Sequence, residues 1–283
     1  MRVSNQQSFD AGMKSLQDHA ANVMKYQTQI SSGKQYANVS DNPSAVGLGL
    51  ALSYDKAQFQ MYQKNQQILT DRYTQGGNQI QSIYSQMVAI RQVVAQSEGA
   101  SADLAPLATK AAALRDTIAS MATASDAYGN AFFKTVAVAD LGQAEVEPNV
   151  KVPQGVTYTQ VMGKLSSGGA AVAGYVDVKA ALDTIVTELQ AGRVPNATHK
   201  TNLDAAITQV LAAQTTNGLY LKQIEAAASA VDSKVVSLDE SMASLLDTDI
   251  ASASANLTRE QALLQAAQNI FAKIQSTNLF DKL

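Results

Sequence analysis

The sequence contains neither cysteine nor tryptophan. Without thiols, disulfides, thiolate catalysis and cysteine-ligated metal sites are excluded together. Aromatic residues make up only 6% and charged residues 16%, whereas 46% of the 283 residues are hydrophobic, with Ala prominent among them. A thick globular core draws on aromatic side chains that bury roughly 150–250 Å² each. An Ala-rich, aromatic-poor chain suits thin layers of closely approaching helices. Only five prolines interrupt it, which favours a mainly α fold. The net charge of −3 and the absence of any basic run give no electrostatic case for nucleic acid or anionic membranes. No stretch approaches 18 uninterrupted apolar residues, so no bilayer-spanning helix is expected. Asn5, Gln6, Gln7, Asp10 and Lys14 break up the apolar centre that a cleavable signal peptide would need. The two histidines, His19 and His199, lie on unrelated segments without carboxylates at ligand spacing. No catalytic, cofactor or metal site is therefore expected, and the chain reads as a non-enzyme.

What the sequence does contain is periodicity. Phe9, Met13, Leu16, Ala20, Val23, Gln27 and Ile30 alternate spacings of four and three, the seam of a coiled-coil helix. Ser31-Ser32-Gly33 ends it, with Gly33 at the left-handed cap. Ser40-Asp41-Asn42-Pro43 reads as the next helix start, with Asp41 as a capping side chain and Pro43 in the first turn. Helical patterning then runs from about 44 to 97, with a kink expected at Gly76-Gly77, and again from about 103 to 124. Between 132 and 175 the chain collects Pro148, Pro153, Gly155, Gly163, Gly168, Gly169 and Gly174 around the β-prone runs 150–152 and 156–158. Helical periodicity resumes at about 176, breaks near Pro195 and continues to the end. Val231, Val235, Leu238, Met242 and Leu245 form a second seam, continued one residue out of step by Leu246, Ile250, Ala253, Leu257, Leu264, Ala267, Phe271 and Ile274.

The expected architecture is mainly α: an elongated helical rod whose N- and C-terminal helices pair as a coiled coil, plus a small irregular or β-containing middle insertion. The segments are an N-terminal arm 1–40 pairing with a C-terminal arm 241–283, rod parts 41–133 and 176–240, and an outer insertion 134–175 at the tip opposite the termini. Charge favours the pairing. Arg2, Lys14, Lys25 and Lys34 outnumber the acids of residues 1–35, and six acids outnumber three bases in residues 239–283. Exposed pairs of this kind set register more than affinity. Ala and Gln at several seam positions weaken each arm, so the seams call for neighbouring chains.

The terminal motifs then become recognisable. Ser31-Ser32-Gly33-Lys34 followed by Ser40-Asp41-Asn42-Pro43 resembles the N-terminal region of the bacterial flagellin superfamily. Leu246 to Ile250, Thr258 to Ala262 and the closing Asn278-Leu279-Phe280-Asp281-Lys282-Leu283 are similar to its C-terminal region, with an ending of the junction type rather than the filament type. Gly33, Lys34, Asp41, Asn42, Pro43, Leu279, Phe280 and Leu283 carry that motif. The resemblance implies a structural subunit of the flagellum that joins hook to filament through paired terminal helices, the alternative being a filament-forming flagellin. It implies as partners further copies in a ring, the preceding hook-associated protein, flagellin and a cytoplasmic export chaperone. It also implies an extracellular location reached through the flagellar type III channel without a cleaved signal peptide. The assembly seam would comprise Phe9, Met13, Leu16, Val23, Ile30, Leu246, Ile250, Leu257, Leu264, Phe271 and Ile274.

Overall fold

The computed structural model describes residues 2–99, 103–126 and 129–280. Their order is α1 (Arg2–Ser32), α2 (Pro43–Gly99), α3 (Ala105–Ala122), β1 (Phe133–Lys134), β2 (Gln143–Glu147), β3 (Val150–Pro153), β4 (Val156–Thr157), α4 (Tyr158–Met162), α5 (Val178–Gln190), α6 (Ala197–Leu246) and α7 (Ile250–Phe280). The fold is mainly α with a small strand region, as the composition implied. Two compact units result: Met1–Ala57 with Val235–Leu283, and Gln58–Lys234. α2 and α6 contribute residues to both.

Local chemistry accounts for the helix boundaries. Gly33 adopts φ 71°, and its N–H donates to Gln29 O at 2.9 Å, closing α1. At the start of α2 the cap is Asn42, whose Oδ1 accepts from the Ala45 N–H at 3.1 Å. The capping role expected of Asp41 is corrected here. Its Oδ2 accepts from the Ala37 and Asn38 N–H groups at 3.1 and 2.9 Å, bracing the preceding loop, because only the residue directly before Pro43 is placed to reach the first helical turn. Asn196 starts α6 by accepting from the His199 N–H.

In the unit formed by 58–234, α2 supplies one continuous apolar stripe. Leu69, Tyr73, Ile80, Ile83, Met87, Ile90 and Val94 are all buried at helical spacing. Against it pack Ala108, Ala111 and Ile118 of α3, Leu182, Ile185 and Leu189 of α5, and Leu203, Val210 and Ile224 of α6. Gly76 and Gly77 do not end α2, which runs unbroken through them. They admit Asn217 of α6: its Nδ2 donates to Tyr73 O at 2.9 Å, and a Cβ on Gly77 would lie 2.7 Å from that nitrogen. At these two glycines α6 approaches α2 closely.

The strands are two small ladders. β2 and β3 form an antiparallel hairpin with Glu145 opposite Lys151, and β1 pairs with β4 in parallel. Pro148 and Asn149 (φ 65°) make the hairpin turn, with Pro preset at the first central position and a positive φ at the second. The insertion was expected at a tip, and that placement is corrected. Gln66 Nε2 donates to Val146 O at 2.6 Å, Asn65 Nδ2 to Glu145 O at 2.9 Å, and the Tyr73 hydroxyl to Pro153 O at 2.8 Å. The hairpin thus lies along the flank of α2, and Val146, Val152, Val156 and Phe133 join the core. Burying those four side chains is favourable only beside the helices, so the segment cannot stand off as a separate lobe.

Candidate assembly interface of the terminal helices

α1 and α7 lie against each other. The Phe9 and Phe271 rings are 5.1 Å apart at their centroids, tilted by 44°. Further along, His19 Nδ1 sits 2.7 Å from Glu260 Oε2. At the far end Lys34 and Asp247 form an antiparallel bridge. These contacts step up one helix and down the other, so the pair is antiparallel. Each helix has 31 residues, about 46 Å at 1.5 Å per residue.

The seam agrees with the expected positions on one side and differs on the other. Leu16, Val23 and Ile30 of α1 and Leu257, Leu264 and Phe271 of α7 are half-buried. Met13 is 38% exposed, and Gln27 is exposed. The alternate heptad position is filled by Gly12, His19 and Tyr26, all half-buried. Gly12 is there because Phe271 covers it: a Cβ would lie 3.1 Å from Phe271 Cδ2. A glycine and a histidine carry little apolar signal, which is why Met13 looks like the better seam position in the sequence, while Ala20 is half-buried as expected. Phe9 is 41% exposed although its ring meets Phe271. On α7, buried Ala253 and half-buried Glu260 and Ala267 complete the frame.

Leu246 and Ile250 are separated by a turn and do not continue one helical seam. Leu246 closes α6 and packs on α2, where a Cβ on Gly49 would lie 2.6 Å from Leu246 Cδ1. Ile250 opens α7 and is 56% exposed. The physical cause is Asp249. Its Oδ1 accepts from the Ala251 and Ser252 N–H groups and its Oδ2 from the Ser252 hydroxyl at 2.7 Å, so α7 is capped afresh. These hydrogen bonds, the Ser252 hydroxyl first, hold the Asp249 carboxyl below the usual carboxylate range.

The motif residues gather at this turn. Gln35 N–H donates to Leu246 O at 2.7 Å, and Thr248 N–H to Gly33 O at 2.8 Å. Gln29, buried in α1, donates from Nε2 to Gln35 O at 2.6 Å. Gly33 and Lys34 therefore tie the end of α1 to the α6–α7 turn, while Asp41, Asn42 and Pro43 shape the loop into α2. The side chains of Ile274, Leu279 and Phe280, and residue Leu283, lie outside the described residues. Among the described residues no cluster of His, Asp or Glu is arranged to hold a metal ion, and no helix is long and apolar enough to cross a membrane.

Residues 201–283 match the model of one protein family, the bacterial flagellin C-terminal helical region. That stretch contains α7 and every C-terminal contact just described. In this stretch the chain is similar to bacterial flagellins. Along its whole length it is similar to flagellar hook-associated protein 3 of Escherichia coli (strain K12), 24% identical over 317 residues with 99% of each chain covered. The counterpart from Salmonella typhimurium (strain LT2) is 24% identical over 314 residues, again covering 99% of both. A crystal structure of Xanthomonas campestris FlgL shares the fold with a TM-score of 0.53 and 16% identity, over 68% of this chain and 99% of that one. The resemblance read from the terminal motifs holds.

Proposed function

We propose that this protein is the structural subunit joining the flagellar hook to the flagellin filament, through polymerisation of its paired terminal helices. The observation that carries the reading is its end-to-end similarity to flagellar hook-associated protein 3, combined with an α1–α7 pair whose seam is only half-buried in the single chain. The seam of Leu16, Val23, Ile30, Leu257, Leu264 and Phe271, with Gly12, His19 and Tyr26, holds the two ends together. The remaining exposed positions, Phe9, Met13 and Ile250 among them, face neighbouring copies in a ring. The preceding hook-associated protein and flagellin lie on its two axial sides, and a cytoplasmic export chaperone escorts it. Export runs through the flagellar channel without a cleaved signal, and the chain performs no catalysis. The 1–40 and 241–283 arms carry assembly, while 41–133 and 176–240 with the 134–175 insertion form the outer body.

The test is a strain lacking the gene. It should make hooks but release flagellin monomers into the medium, and a plasmid copy should restore filaments. Normal filaments in that strain would overturn the reading. The match to the flagellin C-terminal region also suits a filament-forming flagellin. Long homopolymers grown from the purified protein alone would select that alternative.

A further inference from the structure

Asn217 is the only asparagine in the sequence that is followed directly by glycine. It sits within α6 and is 5% exposed. Its Nδ2 donates to Tyr73 O at 2.9 Å, whereas its buried Oδ1 has no hydrogen-bond partner among the described residues. That orientation is fixed, because a backbone carbonyl accepts only from the NH2 end of the amide. Gly218 is placed differently. It is exposed, nothing lies within 4 Å of where its Cβ would be, and its φ is not positive. Neither packing nor backbone conformation within the chain calls for glycine here, although glycine weakens a helix interior relative to Ala.

We infer that Asn217-Gly218 is a site of spontaneous succinimide formation, shut while α6 is folded and open whenever the chain is unfolded. The reaction needs only water. The Gly218 backbone nitrogen attacks Asn217 Cγ and gives up its proton. The Cγ–Nδ2 bond breaks and ammonia leaves, closing a five-membered ring. Water then opens the ring at one of its two carbonyls. The product is either an aspartyl residue at 217 or an isoaspartyl link that routes the main chain through the side chain. Glycine favours the attack, since no side chain shields its nitrogen. In α6 the step is blocked. The α conformation at Asn217 keeps that nitrogen away from Cγ, and the Gly218 N–H is committed to a carbonyl four residues back.

The surroundings of Asn217 decide what the lesion does. An aspartyl residue would turn one carboxylate oxygen toward Tyr73 O, acceptor against acceptor, while the other inherits the partnerless place of Oδ1. Its charge would be buried without a donor at either oxygen, a costly arrangement. An isoaspartyl link adds a carbon to the main chain and breaks the hydrogen-bond ladder of α6. Either product prevents α6 from seating at Gly77, where a Cβ would already lie 2.7 Å from the amide nitrogen. A chain left unfolded thus loses its route to the folded state, and a folded one keeps it. The site is independent of the junction role.

Purified full-length protein, wild type and Gly218→Ala, would be held at mildly alkaline pH in native buffer and in guanidinium chloride. Peptide mass spectrometry would follow replacement of the amide by an acid at 217. Dilution from denaturant, read by circular dichroism, would give the refoldable fraction. In denaturant the wild type should react at 217 ahead of its other asparagines and many-fold faster than in native buffer, with refolding lost in step. Gly218→Ala keeps Asn217 and fills open space, so it should stay refoldable throughout. Equal rates at 217 in the two buffers would overturn the protection by α6. Modified chains that refold to wild-type thermal stability would overturn the consequence. Asn217→Asp supplies the aspartyl product directly and should melt below Asn217→Ala, since alanine removes the amide without burying a charge. The reverse order would rule out a buried charge as the cause.

Discussion

Leu246 occupies the space that a side chain on Gly49 would need, since a Cβ there would lie 2.6 Å from Leu246 Cδ1. The same Leu246 accepts a backbone hydrogen bond from Gln35 at 2.7 Å. One glycine in α2 thus seats the residue that links α6 to the loop after α1. Gly49→Val should push Leu246 out of its seat, where overpacking costs about 1–3 kcal/mol, while Gly49→Ala recovers part of that through helix propensity of about 1 kcal/mol. Chemical denaturation of both variants, each also combined with Leu246→Ala, checks this. The double variants should be less destabilised than additivity requires.

Phe271 spans two contacts, the Phe9 ring at 5.1 Å and the bare backbone at Gly12. Phe271→Ala should loosen the α1–α7 pair without touching the unit formed by 58–234. Limited proteolysis is the measurement. Cleavage within both terminal helices should accelerate severalfold over wild type, and the core fragment should survive for as long as it does in the wild type.

Asp249 makes the α7 cap dependent on acid. Its folded-state pKa is lowered by the Ser252 hydroxyl and the backbone N–H groups. The stabilisation is therefore fully present above the unfolded value of about 3.9 and is lost as pH falls through the lower folded value. Asp249→Asn keeps a capping oxygen and should flatten that acid limb. Helicity followed by circular dichroism between neutral pH and strong acid separates the two proteins.

Tyr73 holds the hairpin to α2 through its hydroxyl bond to Pro153 O at 2.8 Å. Tyr73→Phe should cost about 1 kcal/mol and speed amide exchange in residues 143–153. Burial pushes the phenol well above its ordinary value. The tyrosine's contribution is therefore present below the unfolded value of about 10 and is lost as pH rises beyond it. The phenylalanine variant should lose less stability in alkali.

Gly77 leaves room for the Asn217 amide that donates to Tyr73 O. Gly77→Ala should displace that amide and destabilise the protein despite the better helix propensity of Ala. Adding Asn217→Ala should relieve the clash, and thermal unfolding of the two variants would show the partial recovery.

Much of this architecture is legible along the chain because helical burial is periodic. Leu16, Val23 and Ile30, the buried stripe from Leu69 to Val94, the stop at Gly33 and the β-prone runs of the middle segment all announce themselves by local residue type. The candidate interface was half legible. The positions seven apart stood out, but Gly12 and His19 did not, since their fitness depends on Phe271 and Glu260 arriving from more than 240 residues away.

Local propensity and heptad spacing, which act over one or two helical turns, were enough to determine a helix-rich chain with matched seams at its two ends. Tertiary contact alone decided which flank of each seam turns inward, why two glycines sit inside α2 without ending it, and where the hairpin rests. Those outcomes depend on the shape and charge of a partner surface, and no residue's neighbours in sequence carry that information.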